Sequence, residues 1–116
     1  MQDLKKRTKR FAIDCWQLCK QFPQSREFNA YVNQLIRSSS SVGANYRAAN
    51  RAKSDKDFIN KLKIVEEETD ESMYWLELFI EISEVNHKEI NRLILEANEL
   101  LAITVASIKT TRKRIS

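Results

Sequence analysis

Apolar residues recur along the chain in alternating steps of three and four, the spacing that puts side chains on one face of an α-helix. The first run predicts a helix over about residues 3–22, which Pro23 ends. The second predicts a helix over about residues 26–52, with Ser25 as its N-cap. Its stretch 38–43, SSSSVG, holds poor helix formers, so a loop is the alternative there. The periodicity continues across this stretch and favours a helix that another helix approaches closely.

Capping signals mark the starts of two further helices. Ser54 and Asp57 are spaced as a capping box, in which each side chain binds a backbone N–H at the start of the helix. The helix that follows is predicted over about residues 55–85. Asn86 gives the same kind of signal for a helix over about residues 87–110. The predicted core line of this last helix is Ile90, Ile94, Ala97, Leu101, Thr104 and Ile108.

Four amphipathic helices with short connections predict an all-α fold, an antiparallel up-down-up-down four-helix bundle, as a single domain over residues 1–116. The single glycine and the single proline agree, because a many-stranded β protein needs more turn residues. No run approaches the ~18 apolar residues of a membrane span. The basic N-terminal segment also lacks the apolar stretch of a secretory signal. We therefore expect a cytoplasmic protein with no membrane partner.

The third helix carries a second apolar line about a third of a turn away from its core line, and the first helix has two apolar residues outside its own core line. Apolar residues aligned on several helices indicate an interface, so we expect a homo-oligomer. The predicted interface residues are Ile13, Trp16, Ile64, Trp75, Leu78 and Ile82.

The charges are distributed unevenly over the predicted bundle. The start of the first helix, the corner between the second and third, and the end of the fourth should meet at one pole, which holds thirteen of the 20 bases and three of the 16 acids. Phosphate binding fits such a surface, because each neutralised phosphate releases counterions. Basic termini that only improve solubility are the alternative. The predicted nucleic-acid-binding residues of this basic pole are Lys5, Lys6, Arg7, Lys9, Arg10, Arg47, Arg51, Lys53, Lys56, Arg112, Lys113 and Arg114.

The sequence shows no arrangement of residues typical of catalysis. The acidic run over residues 66–71 has no histidine near it, so ion pairing is favoured over metal binding, with Arg47 and Arg51 as candidate partners. Cys15 and Cys19 lie one turn apart on a helix, where an intrahelical disulfide is disfavoured, and are interpreted as reduced core residues. We therefore expect neither enzymatic activity nor a cofactor nor a metal.

Residues 41–58, SVGANYRAANRAKSDKDF, resemble a known family: the four-helix-bundle proteins encoded by intervening sequences within 23S rRNA genes. The chain departs from the commoner family pattern at Ala48 and Ala49, where an acidic residue and a glycine are usual. The resemblance implies a homopentamer with no established enzymatic activity. It also implies kinship to the accessory proteins of diversity-generating retroelements, which bind nucleic acid and protein. The motif residues are Ser41, Val42, Asn45, Ser54, Asp57 and Phe58.

Two functions stay open at this stage. The first is a non-catalytic, homo-oligomeric scaffold that binds nucleic acid, RNA above all, or a nucleoprotein through the basic pole. The second is a protein–protein adaptor with no nucleic-acid role. We also expect Asn45 to be partly buried and bonded to the third helix or to a neighbouring subunit, because an unpaired amide there costs roughly 1 to 3 kcal/mol.

Overall fold

The computed structural model describes residues 3–116, and within this range it contains four α-helices and no strand. The helices are α1 (Leu4–Cys19), α2 (Arg26–Ala49), α3 (Asp55–Ile82) and α4 (His87–Ile115). Consecutive helices pack against each other, and α1 also packs against α4, which confirms the antiparallel four-helix bundle. The bundle is a rod of 48 × 22 × 21 Å. Within residues 3–116, no helix is both long and apolar enough to span a membrane.

The predicted helix starts are confirmed by their capping bonds. The hydroxyls of Ser25 and Ser54 each accept the backbone N–H three residues further on, at 3.1 and 3.0 Å. Asn86 accepts in the same way at 3.3 Å, from the left-handed backbone conformation (φ 43°) that asparagine tolerates. The Asp57 carboxylate reaches back to the N–H of Lys53 at 3.3 Å, one residue before the cap itself. Local hydrogen bonding therefore fixes where these helices begin.

Three helices end earlier than the sequence predicts, and α4 ends later. α1 stops at Cys19, and α2 and α3 each stop three residues short of the predicted ends. α4 continues to Ile115, through a segment that the sequence suggested was a polar tail. Thr111 explains the extension, because it is buried and its hydroxyl donates to the Ser107 carbonyl at 2.9 Å. Three basic residues in the last turn also interact favourably with the helix dipole.

The core of the bundle differs in part from the predicted lines. In α4, Leu93 and Leu100 are fully buried while Leu101 is only half-buried, so the predicted core line was wrong by one residue there. In α3, Phe79 was missed as a core residue. Its ring stacks on Phe22 at a centroid distance of 4.2 Å and closes the end of the bundle opposite the corner between α2 and α3.

The stretch 38–43 is helical throughout, so the loop alternative is wrong. Its small residues bring helices close together on two sides. Toward α3, the Ser72 hydroxyl lies 2.9 Å from that of Ser38 in the buried interior. Toward α1, a Cβ added to Gly43 would lie only 3.2 Å from Thr8 Oγ1, which is tighter than nine in ten real Cβ contacts. The predicted use of small residues for close helix approach is confirmed.

Candidate nucleic-acid interface

A groove between α1 and α2 gathers cations from both helices. Its volume is about 560 Å³, and its floor is made of small residues, among them Thr8, Ala12, Gly43 and Ala44. We call it the basic groove, and define it by its five exposed cations Lys5, Lys6, Lys9, Arg47 and Arg51.

The helix repeat explains why these side chains converge. Lys5 and Lys9 are four residues apart on α1 and lie on one face, about 6 Å apart along the helix axis. Arg47 lies in the last turn of α2, and Arg51 lies in the turn that directly follows, where its N–H donates to the Ala48 carbonyl at 3.1 Å. Because α1 and α2 are antiparallel neighbours held close at Gly43, the two rows lie on opposite walls of one groove.

The basic groove has no charge compensation within residues 3–116. No carboxylate lines it, and none of its five cations forms an ion pair with the described residues. Like charges gathered in one cleft raise the local potential and concentrate counterions. A ligand with several phosphates would replace those counterions and gain free energy from their release.

Arg7 was predicted to bind nucleic acid, but the structure makes it a link between α1 and α4. Its guanidinium donates to both carboxylate oxygens of Glu96, at 3.1 and 2.7 Å, and lies 3.1 Å from a Glu99 oxygen. The hydrogen bonds to Glu96 raise the pKa of Arg7 above its usual value. The Arg7 guanidinium therefore binds carboxylates of the same chain and does not contribute to the predicted nucleic-acid-binding surface.

Two further arginines of the predicted basic pole also have internal partners. Arg114 forms a bidentate pair with Asp55, at 2.7 and 3.2 Å, and the hydrogen bond lowers the pKa of the Asp55 carboxyl. Arg10 lies 3.6 Å from Asp14, one turn further along α1. Arg114 and Lys53 line a second, smaller cleft beside the basic groove. Outside both clefts stay the exposed residues Lys56, Arg112 and Lys113.

The acidic run of α3 finds a partner that the sequence analysis did not name. Arg37 of α2 binds Glu68 at 3.1 Å and also pairs with Glu71, so the predicted pairing with Arg47 and Arg51 was wrong. The reason is axial position, because Arg37 lies opposite these acids in the antiparallel pair whereas Arg47 and Arg51 lie nearer the corner. This arrangement leaves the two groove arginines without carboxylate partners among the described residues.

The predicted interface residues divide into two groups. Ile13, Trp16, Ile64 and Ile82 are more than a third exposed, whereas Trp75 and Leu78 are half-buried. Trp75 is partly covered by aromatic side chains of α2 and α3 in the same copy of the chain.

Two tyrosines flank Trp75 and were missed by the sequence analysis. The Tyr31 and Tyr74 rings lie 5.4 and 5.3 Å from the Trp75 ring, and Tyr74 is 54% exposed. The Trp75 indole N–H donates to Glu71 at 3.1 Å. Tyr74 could have been found from the sequence, because it directly precedes Trp75 and is an aromatic residue next to the second apolar line of α3.

Four residues of the family motif have structural roles in this chain. Val42 is fully buried, Phe58 packs against the core, and Ser54 and Asp57 cap α3. Asn45 is half-buried and hydrogen-bonded, as predicted, but its amide donates to the Ser41 carbonyl of its own helix at 2.9 Å. The predicted partner on α3 was therefore wrong.

The two cysteines of α1 are buried in the interior of the bundle and are not bonded to each other. Burial raises the pKa of the Cys19 thiol to about 12, and it raises the pKa of Cys15 still further. Both therefore stay protonated at neutral pH, whereas a metal ligand must be a thiolate. Within residues 3–116, no group of three histidines, cysteines, aspartates or glutamates is arranged to hold a metal ion.

Comparison with known proteins identifies the family. The family model described as 23S rRNA-intervening sequence protein matches residues 2–106. The chain belongs to this family. A crystal structure of a protein of unknown function from the S23 ribosomal protein family of Bacteroides thetaiotaomicron is similar, with 32% identity and a TM-score of 0.84. The match covers 92% of this chain and 99% of that one, and neither description names an enzymatic activity. No curated protein matches the chain.

Proposed function

We propose that the protein is a non-catalytic, homo-oligomeric scaffold that binds RNA, bare or within a nucleoprotein, through the basic groove. The observation that carries this proposal is the absence of any carboxylate from a groove that five cations line within residues 3–116. Elsewhere in the bundle, arginines on helix faces meet acids across the interface, as Arg7 and Arg37 do. Of the basic-pole cations predicted to bind nucleic acid that form no ion pair within residues 3–116, five therefore line this groove, and Lys53, Lys56, Arg112 and Lys113 lie outside it.

Binding in the groove would be directed to phosphates. Lys5, Lys9, Arg47 and Arg51 are exposed donors, and the floor between them consists of small side chains. Phosphate contacts position a nucleic acid but carry no sequence information. No aromatic side chain lines the groove, and base stacking needs such a platform. We therefore expect affinity for RNA of arbitrary sequence, with strong dependence on salt.

Assembly would multiply this weak, charge-based binding. Exposed Trp16, Tyr74 and Ile82 give the bundle apolar surface beyond its own core, and the family resemblance suggests five copies. Several grooves on one particle would engage one RNA at high effective concentration, which raises avidity without new contacts. We place this activity in the cytoplasm, where RNA is abundant and where two unpaired cysteines such as Cys15 and Cys19 persist.

The test compares two variants that each remove two positive charges. Arg47→Ala with Arg51→Ala empties one wall of the basic groove. Lys63→Ala with Lys88→Ala removes two exposed lysines of α3 and α4 that lie outside it. Binding of a labelled single-stranded RNA of arbitrary sequence is measured from low to physiological salt.

We expect the groove variant to lose affinity and to reduce the slope of log affinity against log salt by about 1.5, because each lost phosphate contact removes about 0.7 to 0.9. The control variant should keep the wild-type slope. Equal losses in both variants would show a response to net charge alone. Absence of RNA binding by the wild type at low salt would favour the protein–protein adaptor, which nuclease-treated pull-downs would then test.

A further inference from the structure

Helices α1 and α3 do not pack against each other, so they occupy diagonal corners of the bundle. Their outward sides therefore point away from each other. Both sides expose large apolar or aromatic side chains that the bundle itself leaves uncovered. Their flanking charges have opposite signs, and within a single copy of the chain the two sides are too far apart for these charges to pair.

The outward side of α1 is apolar and basic. Ile13 and Trp16 are 37% and 49% exposed, and the Lys20 ammonium lies 4.9 Å from the Trp16 ring centroid. The one acid within α1, Asp14, is turned toward α4, where it binds Arg92 at 2.9 Å. We call this side the α1 face; outside the basic groove, the exposed bases that flank its apolar residues are Arg10 and Lys20.

The outward side of α3 is aromatic and acidic. Tyr74 is 54% exposed, and the half-buried Leu78 follows it one turn later. Residues three, four and seven positions from Tyr74 lie on the same side of the helix, and five of these six are acids, one of which, Glu71, pairs with Arg37. We call this side the α3 face; its exposed acids, none in an ion pair within residues 3–116, are Glu67, Asp70, Glu77 and Glu81.

We infer that the α1 face of one copy docks on the α3 face of the next copy. This inference rests on the proposed homo-oligomer and names the two surfaces that form it. The charges are complementary between the faces, and the faces are of similar length, about 15 Å along α1 and about 21 Å along α3. Contact between two α3 faces, or two α1 faces, would oppose like charges. The interface is therefore heterologous, and repetition of one such contact closes into a ring when the rotation permits.

Charge reversal on either face tests this docking. Gln17→Glu with Lys20→Glu makes the α1 face acidic, because only Arg10 stays basic there, and leaves the basic groove unchanged. Asp70→Lys, Glu77→Lys and Glu81→Lys together make the α3 face basic, because only Glu67 stays acidic there. A third protein carries all five changes, and Leu95→Ser is the control, because Leu95 is 70% exposed on α4 and belongs to neither face. Mass is measured by light scattering, helicity by circular dichroism, and RNA binding as above.

We expect the wild type and the Leu95→Ser control to have the mass of an oligomer. Each variant with one reversed face should fall to the mass of one chain with unchanged helicity. The protein with all five changes should regain the oligomer, because its faces are again complementary. An oligomer that survives both reversals, or one that the five changes fail to restore, overturns this inference and leaves the proposed RNA-binding oligomer standing. A wild type that stays monomeric overturns the proposed assembly itself, whatever the RNA measurement shows.

Discussion

The two flanks of α2 carry the same residue type in opposite electrostatic situations. Toward α3, Arg37 meets the carboxylates of Glu68 and Glu71. Toward α1, Arg47 and Arg51 meet the lysine side of the basic groove and no acid among the described residues. The helix is the same, and the difference lies in what the neighbouring helix presents.

This comparison shows that a count of charges does not locate a binding surface. Twelve cations of the basic pole were predicted to bind nucleic acid, yet three of them, Arg7, Arg10 and Arg114, have carboxylates within 4 Å. A cation that pairs with a carboxylate of the same chain stabilises the fold, and only cations without such a partner are available to a ligand. The α2–α3 flank is held by matched groups, whereas the α1–α2 flank is held by close packing beneath unmatched ones.

The largest expected effect comes from breaking the packing on the α1 flank. Gly43→Leu would drive a side chain into Thr8, because even a Cβ there lies 3.2 Å from Thr8 Oγ1. We expect a loss of about 2 to 3 kcal/mol in the free energy of unfolding, as for overpacked cores. Urea denaturation measures it. Ala44→Leu is the control, since Ala44 is exposed and a leucine there should change stability by less than about 0.5 kcal/mol. A tolerated Gly43→Leu would show that α1 is not held by close approach.

A smaller effect should distinguish the arginine pairs by their burial. Arg7→Met leaves Glu96, 24% exposed at its side chain, without its guanidinium partner. We expect a loss of about 1 to 3 kcal/mol, because a partly buried carboxylate is left short of hydrogen bonds. Arg37→Met is the matched change on a side chain that is 49% exposed, and should cost less than about 1 kcal/mol. Equal costs for the two changes in urea denaturation would contradict this ranking.

The smallest effect concerns acid sensitivity on the α3 flank. The pKa of Glu71 is lowered, first by the Trp75 indole N–H and then by Arg37. A lowered folded-state pKa adds stability at neutral pH that is lost as the pH falls through the folded value. Trp75→Phe removes the donor, so stability should fall less steeply from pH 5 to about pH 3. Urea titrations at several pH values measure this slope. Tyr74→Phe, which leaves the indole in place, should keep the wild-type slope, and a flattened slope there would remove Trp75 from the explanation.

Much of the fold was predictable because it depends on local chemistry. The periodicity identified all four helices, and Ser25, Ser54 and Asn86 marked three of their starts. The core line of α4 was less certain, because steps of three and four can be drawn through Leu100 or through Leu101. Only the position of α3 against α4 decides which leucine is buried.

The candidate site was predictable only as a region. Topology says which helix ends meet, but not how far one helix is displaced along another. Arg7 and Glu96 are 89 positions apart in sequence, and their pairing depends on that displacement. The same holds for Arg37 and the acids of α3. Five of the twelve predicted cations thus remain in the basic groove for a reason that no local pattern contains.

The buried thiols of α1 provide a natural probe of local opening of the bundle. Cys15 and Cys19 are shielded by the bundle, so a thiol reagent can reach them only when α1 swings away from its neighbours. Their labelling rate under native conditions therefore reports how often one wall of the basic groove detaches. RNA that bridges Lys9 and Arg47 would hold α1 against α2 and lower the labelling rate. The natural cysteines allow this measurement without an added probe.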